Sequence, residues 1–459
     1  YRHHALLYSL ALGIFTLLSI LVPLQLGLSG AHPAVRLLIT VLLIVPGSQL
    51  ALEVVNFLVM RLLPPRILPK MDYRVSGIPD ACRTLVVVPV ILTTPDAVSE
   101  EAEKLEIRYL ANKEDNLLFG LFTDLPDAPN AHQEGDDVLV RKAKAMIREL
   151  NARYGGKRFL LFHRDRTWND SEQQYIGWER KRGKLEELNG LINGTRQRGA
   201  PRLLHVGDHG QLVNIRYIIT LDSDTQLPNG TARRMIETLS HPLNQVRFDK
   251  SGHVIDGYTI IQPRVSASLP SMSGSPFSRL FSNPVGIDPY TSAVSDVHQD
   301  LAGEGSYHGK GIYDVRAFHR ILANRFPESR ILSHDLIEGV HVRVGLASDI
   351  ELFDEFPQDY QSYIKRHHRW VRGDWQIAEW ILPRVPGRGG ERGPNALSYF
   401  ARGKIFDNLR RSLLPVASTG LLVASWSISL QAGVIASCVV GAQLLLHSMS
   451  QPLAWATTS

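Results

Sequence analysis

The chain has 459 residues, 44% hydrophobic and 21% charged, which accommodates two or three domains and excludes a disordered protein, a collagen, a coiled coil and a disulfide scaffold. Its two cysteines, Cys82 and Cys438, stand far apart with no CxxC spacing, so a cysteine zinc site is ruled out and a reducing compartment fits. The formal charge of +5 raises the question of nucleic acid, which the placement of the basic residues decides. Beginning at Tyr1 and not at methionine, the sequence reads as a piece of a longer protein.

The first element is Ala5–Leu28, 24 residues without a charge. About 20 apolar residues cross a bilayer, whereas the apolar region of a signal peptide runs to about 7–15. A second apolar segment, Leu37–Leu63, follows after the short Ser29–Arg36 link, which predicts a transmembrane hairpin. Glu53 within it is either a functional group or a carboxylate near an interface or paired with Arg61. The proline-rich run Leu63–Pro69 then leads out of the membrane. Near the other end, Ser412–Leu446 is uncharged over 35 residues. As one helix it would be about 52 Å long against a hydrocarbon core of about 30 Å, so two spans folded around Ser429–Gly433 are expected.

Arg2, Arg61, Arg66, Lys70, Arg74, Arg402, Lys404, Arg410 and Arg411 flank these segments on one side, and only Arg36 lies on the other. The first side is therefore the cytoplasm. The basic excess belongs to the membrane flanks, and no nucleic-acid partner is expected. The organisation that follows is a transmembrane hairpin and linker over 1–71 and a cytosolic domain over 72–396. An interfacial amphipathic helix over 397–411 comes next, mixing aromatic and basic residues, and 412–459 returns to the membrane.

Within the cytosolic part, short apolar runs alternate with helical patterns. The runs are Thr84–Val90, Asn116–Thr123, Arg158–His163, Arg216–Leu221 and Tyr258–Pro263, with helices expected at Asp137–Tyr154 and Glu179–Ile192. This alternation predicts a parallel sheet with helices on both faces, an α/β fold whose ligands bind beyond the carboxyl ends of the strands.

Three motifs carry chemistry. Arg216–Leu221 runs into Asp222-Ser223-Asp224, two carboxylates at alternating positions whose repulsion a hard cation, Mg²⁺ or Mn²⁺, would relieve while bridging a diphosphate. Asp335, in Ser333-His334-Asp335, opens a helical segment expected to continue through Val344; it is either a helix cap or a base that removes a proton from an attacking hydroxyl. Arg366 and Arg369 share a helix face suited to phosphate oxygens, and Trp370 offers a ring on which a sugar stacks. Each motif alone is also compatible with an ordinary turn, cap or solvated surface.

Together, Asp-x-Asp, a lone Asp 111 residues later and Arg-x-x-Arg-Trp a further 31 residues on resemble the pattern of processive sugar polymerases. Two departures, Arg366 for the usual Gln and Ser333-His334-Asp335 for Thr-Glu-Asp, point away from cellulose, chitin and hyaluronan synthases. The strings WERKRGKLEELNGLI, YIITLDSDTQLP, GSYHGKGIYDV, ILSHDLIEGVHVRVG and HHRWVRGDWQ look like the catalytic domain of cyclic β-1,2-glucan synthases. That resemblance covers essentially the whole chain. It implies a GT-A, Rossmann-like glycosyltransferase domain flanked by transmembrane helices in the bacterial inner membrane. It also implies UDP-glucose as donor, Mg²⁺ or Mn²⁺ as cofactor, inverting processive transfer to a growing β-1,2-glucan, and further domains of the same polypeptide for cyclisation and phosphorylase-like work.

The same resemblance implies residue roles. Asp124 would contact uracil or ribose, Asp222 the nucleotide and Asp224 the metal; Asp335 would be the base, Arg366 and Arg369 the diphosphate clamp, and Trp370 the acceptor platform. Lys181 and Gly183 partly match a Lys-x-Gly segment near the diphosphate, while Gly309 and Gly311 would admit backbone to the acceptor sugar or simply make a tight turn. It further implies that the glucan is started on the synthase itself. Tyr290, in a loop broken by two prolines and a glycine, is the expected self-glucosylated primer, with Tyr307, in a strand-like setting, as the competitor. Rival readings are a linear polysaccharide synthase, a glycolipid glucosyltransferase and a non-enzymatic membrane scaffold.

Overall fold

The computed structural model describes residues 2–196, 201–250, 252–282 and 296–455. Among these, eight strands form the main sheet: β1 (Thr84–Ile91), β2 (Leu117–Asp124), β3 (Phe159–His163), β4 (Leu204–Val206), β5 (Tyr217–Thr220), β6 (Ile260–Ala267), β7 (Gly311–Asp314) and β8 (Val344–Asp354). Their spatial order is β8-β6-β7-β5-β1-β2-β3-β4. The helices that frame the sheet, the cleft and the apolar ends include α1 (Arg2–Leu28), α2 (Pro33–Leu62), α3 (Pro95–Ala111), α4 (Asp136–Arg153), α5 (Arg180–Ile192), α6 (Thr231–Ser240), α7 (Asp335–His341), α8 (Tyr360–Gln376), α9 (Tyr399–Ser412), α10 (Leu414–Ile428) and α11 (Leu430–Trp455).

The strand at the centre explains the unbroken apolar run. Val86 and Val88 of β1 pack with Phe119, Leu121 and Tyr109 on one face, while Leu85 and Val87 join Leu118, Phe122, Leu185 and Leu188 on the other. Both faces are covered by helices, so successive side chains must all be apolar. The five expected runs all become strands of this sheet, and the helices expected at Asp137–Tyr154 and Glu179–Ile192 are α4 and α5.

Three expectations need correction. The sheet is mixed: β7 runs antiparallel to β5 and β6, and β4 antiparallel to β3. The helix opened by Asp335 stops at His341, and Val344 instead begins β8, parallel to β6. Ser348, Asp349 and Glu351 hid that edge strand, yet from Ser348 onward buried and more exposed residues alternate as they do on a strand with one wet face. Tyr307 is not strand-like either, since it lies fully buried in irregular backbone ahead of β7.

At the two ends of the chain, α1 and α2 are long and apolar enough to cross a membrane, and the later apolar stretch is split at Ser429 into α10 and α11. Leu24, Leu43, Leu421, Ala432 and Ala436 form their common contact. The Glu53 carboxylate accepts a 2.8 Å hydrogen bond from Gln49, one turn earlier. Gln49 in turn accepts from Arg410 of α9 at 2.7 Å, joining α2 to α9.

Candidate active site

The carboxyl ends of β1, β2 and β5 open on a cleft of about 1270 Å³, where an open α/β sheet is expected to bind its ligand. Asp124, Lys181, Asp222, Asp224, Asp335, Arg366, Arg369 and Trp370 all line it, although they come from segments spread over most of the domain.

The Asp-x-Asp pair is not on alternating strand positions. β5 ends at Thr220, and both carboxylates sit in the turn that follows. Asp222 accepts from Lys181 at 2.5 Å and pairs with Lys310 at 2.9 Å. Burial would raise its pKa, but the two ammonium groups outweigh burial and hold it well below the usual carboxylate range. Lys310 also pairs with the buried Asp354 at the end of β8, whose other oxygen accepts from Thr225 at 2.7 Å. The repulsion at this triplet is thus relieved on the Asp222 side by lysines.

Asp224 is different. Its pKa is pushed up by burial and by the nearby Asp354, and among the described residues no hydrogen bond or ion pair reaches it. Mg²⁺ commonly takes only one or two protein carboxylates, completing its shell with phosphate oxygens and water. Asp224 fits that pattern as the one protein ligand, whereas no ready-made cage of three His, Cys, Asp or Glu side chains occurs among the described residues.

Asp124, at the end of β2, is held by Arg164 through a two-point contact at 2.9 and 2.8 Å, with Lys184 at 3.3 Å. Burial opposes its ionisation, but these cations keep its pKa lowered. Both Asp124 oxygens are therefore already engaged, which makes its expected contact with uracil or ribose a shared one. Lys184, fully enclosed, is itself pushed down to about 8 by burial, and its ammonium donates to the carbonyls of Val90 and Phe122.

Across the cleft, Asp335 is the first residue of α7. An added Cβ at Gly309 would stand 2.6 Å from its Oδ1, and Gly309 has φ +76°, so this glycine is required twice over. Its carbonyl accepts from Lys181 at 2.8 Å, which places the Lys-x-Gly lysine between the triplet and the candidate base. Gly309→Ala is expected to lower transfer at least tenfold by displacing Asp335, with about 1 kcal/mol lost in stability from the left-handed backbone; kinetics beside thermal unfolding separates the two effects.

On α8, the Arg366 guanidinium lies 4.7 Å from the centre of the Trp370 ring and donates to the Glu355 carbonyl at 3.2 Å. One face of Trp370 is thus covered by Arg366. Trp370 remains 37% exposed, which leaves ring surface open to a sugar. Where α9 borders the cleft, Lys404 donates to the Gly305 carbonyl at 2.8 Å and Trp375 to Ser412 at 3.0 Å.

Sequence reasoning missed Lys310, Asp354, Arg164, Lys184 and the partners of Asp335. Lys310 sits between Gly309 and Gly311, a spacing that marks backbone crowding, and Asp354 closes a run whose alternation was legible. Tyr290 lies outside the described residues, while Tyr307 is buried beside Glu338 and Asp335.

Over 396 residues, 85% of its length, the chain is 40% identical to the cyclic β-(1,2)-glucan synthase NdvB of Rhizobium meliloti (strain 1021). The chain is related to a cyclic β-(1,2)-glucan synthase. It spans only 14% of the length of that synthase, so most of the larger protein has no counterpart in this sequence. No protein-family model matches the chain.

Proposed function

We propose that the chain is the membrane-embedded glucosyltransferase part of a cyclic β-1,2-glucan synthase, polymerising glucose from UDP-glucose in the inner membrane with its catalytic domain in the cytoplasm. The observation that carries this reading is the convergence on one cleft of Asp224, the Asp222–lysine cluster, Asp335 and the Arg366–Trp370 pair. The relationship to the Rhizobium synthase supports the product class.

In this reading Asp335 takes the proton from the 2-hydroxyl of the terminal glucose, whose oxygen attacks C1 of the donor on the face opposite the leaving UDP. Inversion needs one base and no nucleophilic carboxylate. Lys181, Arg366 and Arg369 hold the diphosphate, and Trp370 carries the acceptor sugar. A divalent cation at Asp224 would supply neutralisation of the departing diphosphate. The interfacial helix α9 and the apolar helices keep the cleft at the bilayer. Tyr290 is the proposed first acceptor, and the cyclising and phosphorylase-like domains belong to other parts of the polypeptide.

Incubation of the purified protein with UDP-glucose followed by linkage analysis tests the proposal. A β-1,2-linked glucan is expected; another linkage would favour a linear synthase, and a glucosylated lipid the glycolipid enzyme. Asp224→Asn is expected to abolish metal-dependent transfer while the unfolding temperature stays level or rises, since a carboxylate held unfavourably is removed. Undiminished activity in EDTA would remove the metal from this account.

A further inference from the structure

The side chain before the candidate base is histidine, and its surroundings are specific. His334 is buried, with only 7% of its side chain exposed, and Glu338 one turn along α7 retains 3%. The His334 Nδ1 lies 2.8 Å from Glu338 Oε2, while Nε2 lies 3.4 Å from Asp335 Oδ1. That Oδ1 is buried without a hydrogen-bond partner, yet the Asp335 side chain as a whole is 34% exposed. The exposed oxygen is therefore Oδ2, which faces the cleft, while Oδ1 is turned inward beside the imidazole; both oxygens border Gly309.

We infer that His334, anchored by Glu338, is a positioning residue for Asp335: it holds Oδ1 inward and presents Oδ2 to the acceptor hydroxyl. The inference rests on the reading of Asp335 as the base. The groups facing the imidazole are Glu338 and Asp335 of its own helix, Lys181 from α5 and the buried Tyr307 ahead of β7. Burial alone would lower the pKa of His334, but the two carboxylates outweigh burial and Lys181 and raise it. The ring thus lies between two carboxylates, Nδ1 toward Glu338 and Nε2 toward Asp335. In the transfer step the acceptor O–H bond breaks and a new O–H bond forms at Oδ2; the proton then leaves to water through the cleft.

The test uses the whole chain in detergent or nanodiscs, with UDP-glucose as donor. His334→Gln removes the imidazole beside Asp335, and Glu338→Gln loosens its anchor. Turnover per UDP-binding site, with sites counted by calorimetry, is expected to fall about tenfold in His334→Gln and by a smaller factor in Glu338→Gln, because Oδ2 is no longer aimed at the acceptor hydroxyl. UDP affinity should stay within about twofold. Counting binding-competent sites removes the fraction of a preparation that fails to fold. Unchanged turnover per site in both variants, with Asp335→Asn inactive, would overturn the role of His334 and leave the base standing. Full activity in Asp335→Asn would overturn both.

Discussion

Asp335→Asn is expected to bind UDP as the wild type does and to lose glucosyl transfer by about 10²–10⁴-fold, the range that a positioned general base contributes. The carboxamide keeps the size of the side chain and its place against Gly309, so the fold of α7 is undisturbed. Among the described residues Asp335 makes no hydrogen bond or ion pair to Lys181, Arg366 or Arg369, the residues proposed to hold the diphosphate, which is why binding and turnover should separate. Calorimetry with UDP and a radiolabel transfer assay measure the two halves. Lost UDP affinity with unaltered turnover per bound donor would place Asp335 among the donor contacts instead.

Lys310→Met carries the largest expected cost in stability. Lys310, 8% exposed, is paired at once with Asp222 and with Asp354, which is 2% exposed. Removing one partner of a buried ion cluster strands the remaining charges and costs about 3–5 kcal/mol. A large fall in unfolding temperature is expected, together with weakened UDP binding as Asp222 loses one of its two cations. Adding Asp354→Asn should recover much of the stability, because the stranded carboxylate is then gone. If the single variant unfolds at the wild-type temperature, the cluster is not structural.

The central strands and the candidate site residues were legible because they obey local rules. β1 and β2 announce themselves by unbroken aliphatic runs, and Asp222, Asp335, Arg366 and Trp370 by residue type and spacing. What stayed hidden depends on tertiary neighbours. β8 reads as polar because one face is wet, and its closing Asp354 matters through Lys310, which arrives from a loop 44 residues earlier, and through Thr225 and Asp224 beyond β5. Neither the Arg164 contact that occupies Asp124 nor the closeness of Gly309 to Asp335 leaves a periodic trace. His334 was visible as a departure from the Thr-Glu-Asp pattern, but its meaning needed Glu338 one helical turn away and a buried environment that spacing alone does not reveal.

The link between α2 and α9 has a mechanical consequence. Arg410 reaches Ser48 at 3.2 Å and Gln49 at 2.7 Å, and the same helix ends at Ser412, the partner of Trp375 on the helix that also bears Arg366, Arg369 and Trp370. Hydrophobic segments tilt to match the thickness of the lipid around them. On the proposal that α2 spans the bilayer, a tilt of α2 would be passed through Arg410 and Trp375 to the wall of the cleft, and donor affinity is expected to change with acyl-chain length in nanodiscs; equal affinity in short-chain and long-chain lipid would dismiss that coupling.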